Sequence, residues 1–342
     1  MKNQSQFTPV KSHGAEDAIL DRIRASAQQS RNATNGLLVG VGDDAAIFRA
    51  THGCDEIVTC DWFLEGTHFL RDKHPADSIG WKCLARAASD VAAMGGVPRC
   101  FLLSLALPST HLGPWLDDFL RGLRRASQRF KCVLAGGDTT WGEKVLVSVT
   151  VLGEVRPGRA LLRSNAQPGE IIFVSGRLGE AELGLCLLRL QKRKVSRGDP
   201  LLAKHLYPEP RLALGRWLAE NRLASAMMDL SDGVSTDLPR LCEASRVGAA
   251  IDSAKIPAVR LPERGRTSSE NALALALHGG DDYELLFTVP RSKANRIPRS
   301  FHGIPLSKIG EITKRRTLLL IDQSGRKMLL PNRGWDPFRQ ET

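Results

Sequence analysis

Five stretches of the chain set aspartates beside residues with almost no side chain: GDDAA (42–46), TCD (59–61), ASDVAAMGG (88–96), AGGDTT (135–140) and MMDLSDG (227–233). None contains a Lys or Arg. Taken singly, an Asp next to Gly is commonly a turn former or a helix cap, and Asp43, Asp138 and Asp232 each fit that description. Five base-poor instances in one chain point to a shared task. Converging carboxylates repel one another unless cations neutralise them. Magnesium suits such a set, because it takes carboxylate oxygens and keeps waters and substrate phosphates in its remaining positions. The chemistry implied is metal-assisted work on phosphates. Around Asp229 the pattern is sharper: AMMDLSDG reads as a short buried strand running out into Ser231, Asp232 and Gly233, with a helix opening near Ser235. Helix N-termini of that kind hold phosphates.

Other polar features are weaker. HGGDDYELLF (278–287) pairs acids after glycines and ahead of a strand, which offers a second polar pocket edge. His68, just past EGT, reads on its own as a structural hydrogen-bonding group. The loop GRLGEAELG reads as a plain strand-to-helix turn before a helix ending near Arg193. No G-x-x-x-x-G-K-[ST], H-E-x-x-H or G-x-S-x-G occurs, which disfavours a P-loop ATPase, a zinc protease and an α/β-hydrolase.

The elements that must position these residues are of mixed α and β type. Strands are expected over 56–64, 100–108, 144–155, 170–176, 283–290 and 317–321, and a helix over 75–94, with Pro75 in the first turn and Gly95 as its stop. That helix places Asp90 in its last turn, where the macrodipole disfavours an anion, so something else must favour a carboxylate there. RPGRALLRSNAQPG (156–169) interrupts the pattern with turn formers and sets a domain boundary, giving domains 1–155 and 156–342. In the tail, Trp335 and Phe338 are expected to pack back onto the body.

A chain of 342 residues fits two such domains. The seven cysteines are odd in number and scattered, which indicates a reducing compartment and argues against zinc. With no secretory leader pattern and no long apolar run, a cytoplasmic protein without membrane contact is expected. The formal charge of +11 resides largely in short runs such as RGLRR (121–125), QKRKVSR (191–197) and TKRRT (313–317), read as solvated helix ends and loops. With two tyrosines and eleven phenylalanines a base-stacking platform is not indicated, and no nucleic-acid partner is expected.

GDDAAI, TCDWFLEGTHF, ASDVAAMGG, GGDTT, GRALLRSNAQPGE, DLSDGVSTDL and HGGDDYELLFT, in this order and over most of the chain, closely resemble the thiamine-monophosphate kinase family. That family lies in the ATP-binding superfamily of aminoimidazole ribonucleotide synthetase and selenophosphate synthetase. The resemblance implies a two-domain α/β fold, a homodimer through the N-terminal sheet, and transfer of the γ-phosphoryl of ATP to thiamine monophosphate with magnesium. It implies Asp44, Asp61, Asp90, Asp138, Asp229 and Asp232 as metal ligands, with Thr59 and Cys60 metal-adjacent. It also implies Gly137, Arg163 and Ser231 as ATP contacts, and His68, Asp281 and Trp335 as substrate contacts. Asp138, Asp229 and Arg163 would carry the catalysis. Two positions depart from the family pattern. Ser or Thr is usual where Cys60 stands, and a thiol is a poor magnesium ligand, which leaves its carbonyl; Glu often stands at Asp281, and the shorter acid would reach the substrate through water. A sister ATP-dependent synthetase, or a non-catalytic nucleotide- or RNA-binding protein, are the alternative readings.

Overall fold

Strands that are apolar at every position can only be buried on both faces, whereas strands that alternate leave one face open; this chain uses both kinds, in two separate sheets. The computed structural model describes residues 15–28, 36–41, 45–190, 199–261 and 269–338. In chain order its elements are α1 (Ala15–Gln28), β1 (Leu37–Val39), β2 (Ile47–Phe48), β3 (Asp55–Leu64), α2 (Ala76–Ala93), β4 (Val97–Leu107), α3 (Pro114–Phe130), β5 (Val133–Trp141) and β6 (Leu146–Val155). There follow β7 (Ile171–Ser175), α4 (Glu180–Leu190), α5 (Pro200–Leu206), α6 (Leu212–Glu220), β8 (Ala226–Leu230), α7 (Val234–Ser245), β9 (Gly248–Asp252), α8 (Ser269–His278), β10 (Glu284–Val289), β11 (Ser300–Phe301), β12 (Ile304–Thr313), β13 (Leu318–Ile321) and β14 (Lys327–Leu329). The fold is mixed α/β, and no described helix is long and apolar enough to cross a membrane.

The first sheet has the order β3-β6-β4-β5. Its strands alternate: Ile57 and Phe63 of β3 are buried beneath the helices, whereas Val58, Cys60 and Trp62 point to the other face and are exposed. Helices α2 and α3 cover the inner face, closing a core that includes Phe63, Leu84, Phe101, Phe119 and Val149. The second sheet runs β14-β13-β9-β12-β7-β10-β8, with β11 paired to β12. Strands β7, β8 and β10 are buried at every residue. Leu238 and Leu241 of α7 share a core with Ile172, Met228 and Leu286, while Leu214 and Leu218 of α6 share another with Phe173, Met227 and Phe287.

Helix α2 joins the two halves. Pro75 occupies its N-cap, Met94 its C-cap, and Gly95 follows at φ 72°, which ends the helix at the expected place. It is buried almost all round, as a helix wedged between two sheets must be. Two glycines let it cross α3 at backbone contact: a Cβ on Gly80 would lie 2.0 Å from the Phe119 carbonyl oxygen, and one on Gly122 would lie 1.8 Å from that of Asp77. At its other end it abuts α6, where a Cβ on Gly215 would lie 2.0 Å from the Ala92 oxygen.

The basic run at 121–125 is not a free patch, since Arg125 pairs with Asp77 and lies 5.5 Å from the Trp81 ring, and Arg121 pairs with Asp118. The run 191–197, the helix end near Arg193 and Asp44 lie outside the described residues. The tail divides: Trp335 is packed onto His68 with ring centroids 5.5 Å apart, but Phe338 is 92% exposed, so the expected return of both aromatics holds for Trp335 alone.

Because the α2–α3 crossing is backbone on backbone, no side-chain rotation can relieve an added methyl at Gly122. Gly122→Ala is expected to destabilise the fold by about 2 kcal/mol or more, read as a lowered denaturation midpoint. A midpoint within error of the parent would show that the crossing relaxes freely.

Candidate active site

Lys82, Arg86 and Asp90 stand at i, i+4 and i+8 on α2, one turn apart along a single stripe. At the C-terminal end of the stripe, Asp90 accepts a short hydrogen bond from the Thr59 hydroxyl of β3, and its neighbour Ser89 donates to Asp229 Oδ2 at 2.7 Å. Thr59 and Asp61 share the inner face of β3, so alternation aims both at the helix. Asp229 lies next to the last residue of β8 and is buried. Beyond it, Asp232 pairs with Arg240, and Asp237 in the first turn of α7 accepts from the backbone N–H groups of Ser231 and Asp232 at 3.1 and 2.9 Å. The Ser231–Asp232 turn ahead of that helix is therefore tied down by the chain's own carboxylate, which the sequence pattern around Ser231 did not disclose.

These acids crowd one another. Burial, together with the neighbouring Asp90, pushes Asp229 up to about 8. Burial likewise raises Asp61 to about 6, with Asp90 and Asp232 adding to the rise against the opposing pull of Arg86. Among the described residues no cage of three or more His, Cys, Asp or Glu side chains stands assembled around one point.

At the N-terminal end of the stripe sits Asp281, in the left-handed region at φ 67°. Lys82 Nζ donates to its Oδ2 at 2.7 Å and the Tyr283 hydroxyl to its Oδ1 at 2.7 Å. Burial alone would raise its pKa, but Lys82 and Arg86 overcome that and hold it well below the usual carboxylate range. Behind Lys82 the polar chain continues to His205 Nδ1 at 3.3 Å and from His205 Nε2 to His74 Nε2 at 2.9 Å. Both imidazoles are held neutral, first by burial and then by the lysine charge.

His68 accepts from the Leu64 backbone N–H on Nδ1 at 3.0 Å, and burial followed by Arg86 lowers its pKa to about 4. It is thus neutral with its proton on Nε2. Trp335 is anchored by its backbone N–H to the Asp232 carbonyl at 3.0 Å, so the tail brings an indole to the rim of the acidic group. On the other side of Asp90 a cavity of about 750 Å³ is lined by Thr59, Asp90, Met94, Leu162, Arg163 and Met228, among others. It joins an acid, a guanidinium and soft apolar walls, the requirements of a nucleotide.

The first sheet keeps two candidates apart from this assembly. Asp138 and Gly137 lie on β5, the edge strand opposite β3, and Asp138 is in register with Ser104 and, through it, Ser148 and Trp62. Three strand spacings, about 14 Å, separate Asp138 from β3, and it belongs to the open face. Gly137 stands where a Cβ would meet the Leu103 oxygen at 1.8 Å. Cys60 also faces outward, its thiol 3.4 Å from the Ser148 hydroxyl.

The family model for AIR synthase related protein, N-terminal domain, matches residues 42–155, and that for the C-terminal domain matches 167–322. Thiamine-monophosphate kinase of Bacillus subtilis is 36% identical over 311 residues, 88% of this chain and 94% of that protein. The chain belongs to the thiamine-monophosphate kinase family. A crystal structure of thiamine-monophosphate kinase from Stenotrophomonas maltophilia superposes with a TM-score of 0.79 at 35% identity, covering 91% of this chain and 97% of that one. The structure of AaThiL complexed with AMPPCP and TMP superposes with a TM-score of 0.72 at 30% identity over 97% and 99% of the two chains.

Within this thiamine-monophosphate kinase fold, sequence reasoning missed Lys82, Arg86, Tyr283 and Asp237. The signal for the first two was present, as two basic residues four apart inside the apolar run SIGWKCLARAASDVAAM. Asp282 and Glu284 of the GGDDYEL stretch do structural work: Asp282 accepts from the N–H groups of Gly179 and Ala181 at the start of α4, and Glu284 holds Arg211 and accepts from Ser175.

Folded Asp229 keeps its proton to about pH 8, while an ordinary aspartate loses it near 3.8. The folded state binds the extra proton in between, so the contribution of this group to stability falls as pH rises through that window. With chelator present, Asp229→Asn should melt above the parent at pH 8, the gap narrowing toward pH 5 in a calorimetric series. A gap independent of pH would refute the shift.

Proposed function

We propose that this chain transfers the γ-phosphoryl of ATP to the phosphate of thiamine monophosphate, giving thiamine diphosphate. The observation that carries the reading is the α2 stripe, which places the Asp281–His68–Trp335 pocket one side of Arg86 and the acids, with the nucleotide-sized cavity beside them, on the other. Neutral His68 and the Trp335 ring suit a cationic thiazolium, which a protonated imidazole would repel and an aromatic face attracts. Ionised Asp281 adds a negative charge to the same rim.

The donor set fits magnesium: Asp61, Asp90, Asp229 and Asp232 are carboxylates, burial and then mutual crowding raise the pKa values of Asp61 and Asp229, and among the described residues no Lys or Arg pairs with Asp229. Asp44 and the outward Asp138 would complete it, Thr59 orients Asp90, and Cys60 offers only its carbonyl. Bound magnesium would supply screening of the two phosphate groups and stabilise charge on the transferring group. The acceptor is itself an anionic oxygen, so the residues need position and orient rather than abstract a proton. Arg163 contributes a fixed cation at the cavity mouth, and Ser231 and Gly137 are proposed contacts to the nucleotide. Transfer is direct and in line, without a phosphorylated enzyme.

The position of Asp138 supports a homodimer closed by the first sheet. Both edge strands are long, and Val58 and Trp62 on the open face of β3 are 64% and 57% exposed. A second copy packed on this sheet would cover these apolar groups and bring its own Asp138 to the acids of the first protomer. The protein works in the cytoplasm on this reading.

Purified protein with ATP, magnesium and thiamine monophosphate should form thiamine diphosphate by chromatography, with none formed in excess chelator. Asp138→Asn and Asp229→Asn should each abolish turnover. Refolding or co-expressing the two variants together should restore about a quarter of parental activity, because half the dimers pair both kinds of chain and each of these rebuilds one intact site. No recovery on mixing would place Asp138 in its own protomer's site.

A further inference from the structure

Arg86 is the member of the α2 stripe whose donors are left over. Its side chain is 14% exposed. Nε is buried and finds no hydrogen-bond partner among the described residues. Nη1 stands 3.8 Å from Asp281 Oδ1, outside hydrogen-bond range, and the two oxygens of that carboxylate already serve Lys82 and Tyr283. The guanidinium carbon lies 5.4 Å from the centroid of the Phe63 ring, a stacking that sets its plane and consumes no N–H. A guanidinium carries five N–H donors, and burying one with donors unfilled is unfavourable unless an arriving group fills them.

Its place says what arrives. Arg86 is one helical turn from Lys82, which holds Asp281, and one turn from Asp90, which belongs to the acids. Phe63, on which it rests, is 5.9 Å from His68, and His68 is 5.5 Å from Trp335. The free donors therefore lie between an aromatic rim and the acidic group. A ligand with rings at one end and a phosphate at the other spans that interval in one orientation only.

We infer that Arg86 binds the acceptor phosphate of thiamine monophosphate, fixing it between the ring pocket and the acids; this rests on the function proposed above. The planar fork would take two phosphate oxygens and leave the third toward the γ-phosphoryl. Arg86 is then a residue of the substrate site in its own right, and it separates recognition of the ester from recognition of its rings.

The test is calorimetric titration of the full-length protein, as parent, Arg86→Met and Arg86→Lys, with thiamine monophosphate and, separately, with thiamine. Arg86→Met should lose about 10- to 100-fold in affinity for the monophosphate while thiamine shifts by less than about threefold. Arg86→Lys keeps the charge without the fork and should fall between parent and Met; it decides the matter if the Met variant does not fold. The KM for ATP should stay at the parental value in both. Equal losses for the two ligands would reduce Arg86 to a packing role and overturn the inference, as would undiminished monophosphate binding in both variants. A parent that neither binds nor turns over thiamine monophosphate would instead overturn the function itself, and the inference with it.

Discussion

Everything at this site hangs on a helix that is buried on nearly every side and yet carries a lysine, an arginine and an aspartate in line. A buried charge is costly without a partner, and the two ends of the line take theirs from different parts of the fold: Asp281 from the turn before β10 for Lys82, Thr59 from β3 for Asp90. The two sheets are thereby held in register by polar contacts made through α2, with the glycine crossing at α3 and the contact at Gly215 fixing the helix axis. Apolar packing would hold the sheets together in many relative positions. The polar stripe selects one.

The same helix divides the site electrostatically. Around Asp281, cations outnumber anions and the carboxylate is firmly ionised. Around Asp229 and Asp61, anions outnumber cations and protonation is favoured. Two neighbouring pools of opposite sign suit a reaction in which a cationic ring must be seated near two phosphates. The neutral imidazole of His68 stands where the two pools meet.

Much of this was legible in the sequence. Strands with uninterrupted apolar runs, such as IIFVS and ELLFTV, were found because burial on both faces leaves a simple signature. Strand β12 was not anticipated, because a register shift between Lys308 and Gly310 breaks its alternation, and β5 was not among the expected strands because Gly136 and Gly137 mask a strand that needs glycine for close backbone approach. The acids of the site announced themselves by lacking bases nearby in sequence. Their basic counterparts did not, since Lys82 meets Asp281 across 199 positions and no local pattern encodes that meeting. Asp237 was hidden for a different reason: a carboxylate that reaches back to the loop ahead of its helix looks, in sequence, like any first-turn acid.

The Lys82–Asp281 contact also constrains how this chain can change over time. Losing either member alone strands an opposite charge inside the protein, beside two imidazoles that burial keeps neutral and cannot readily absorb it. Descent from this sequence to one with a neutral residue at 82 must therefore pass through compensation at 281, or through rebuilding of His205 and His74. The two positions should drift as a unit across lineages, and the charge at that end of the helix with them.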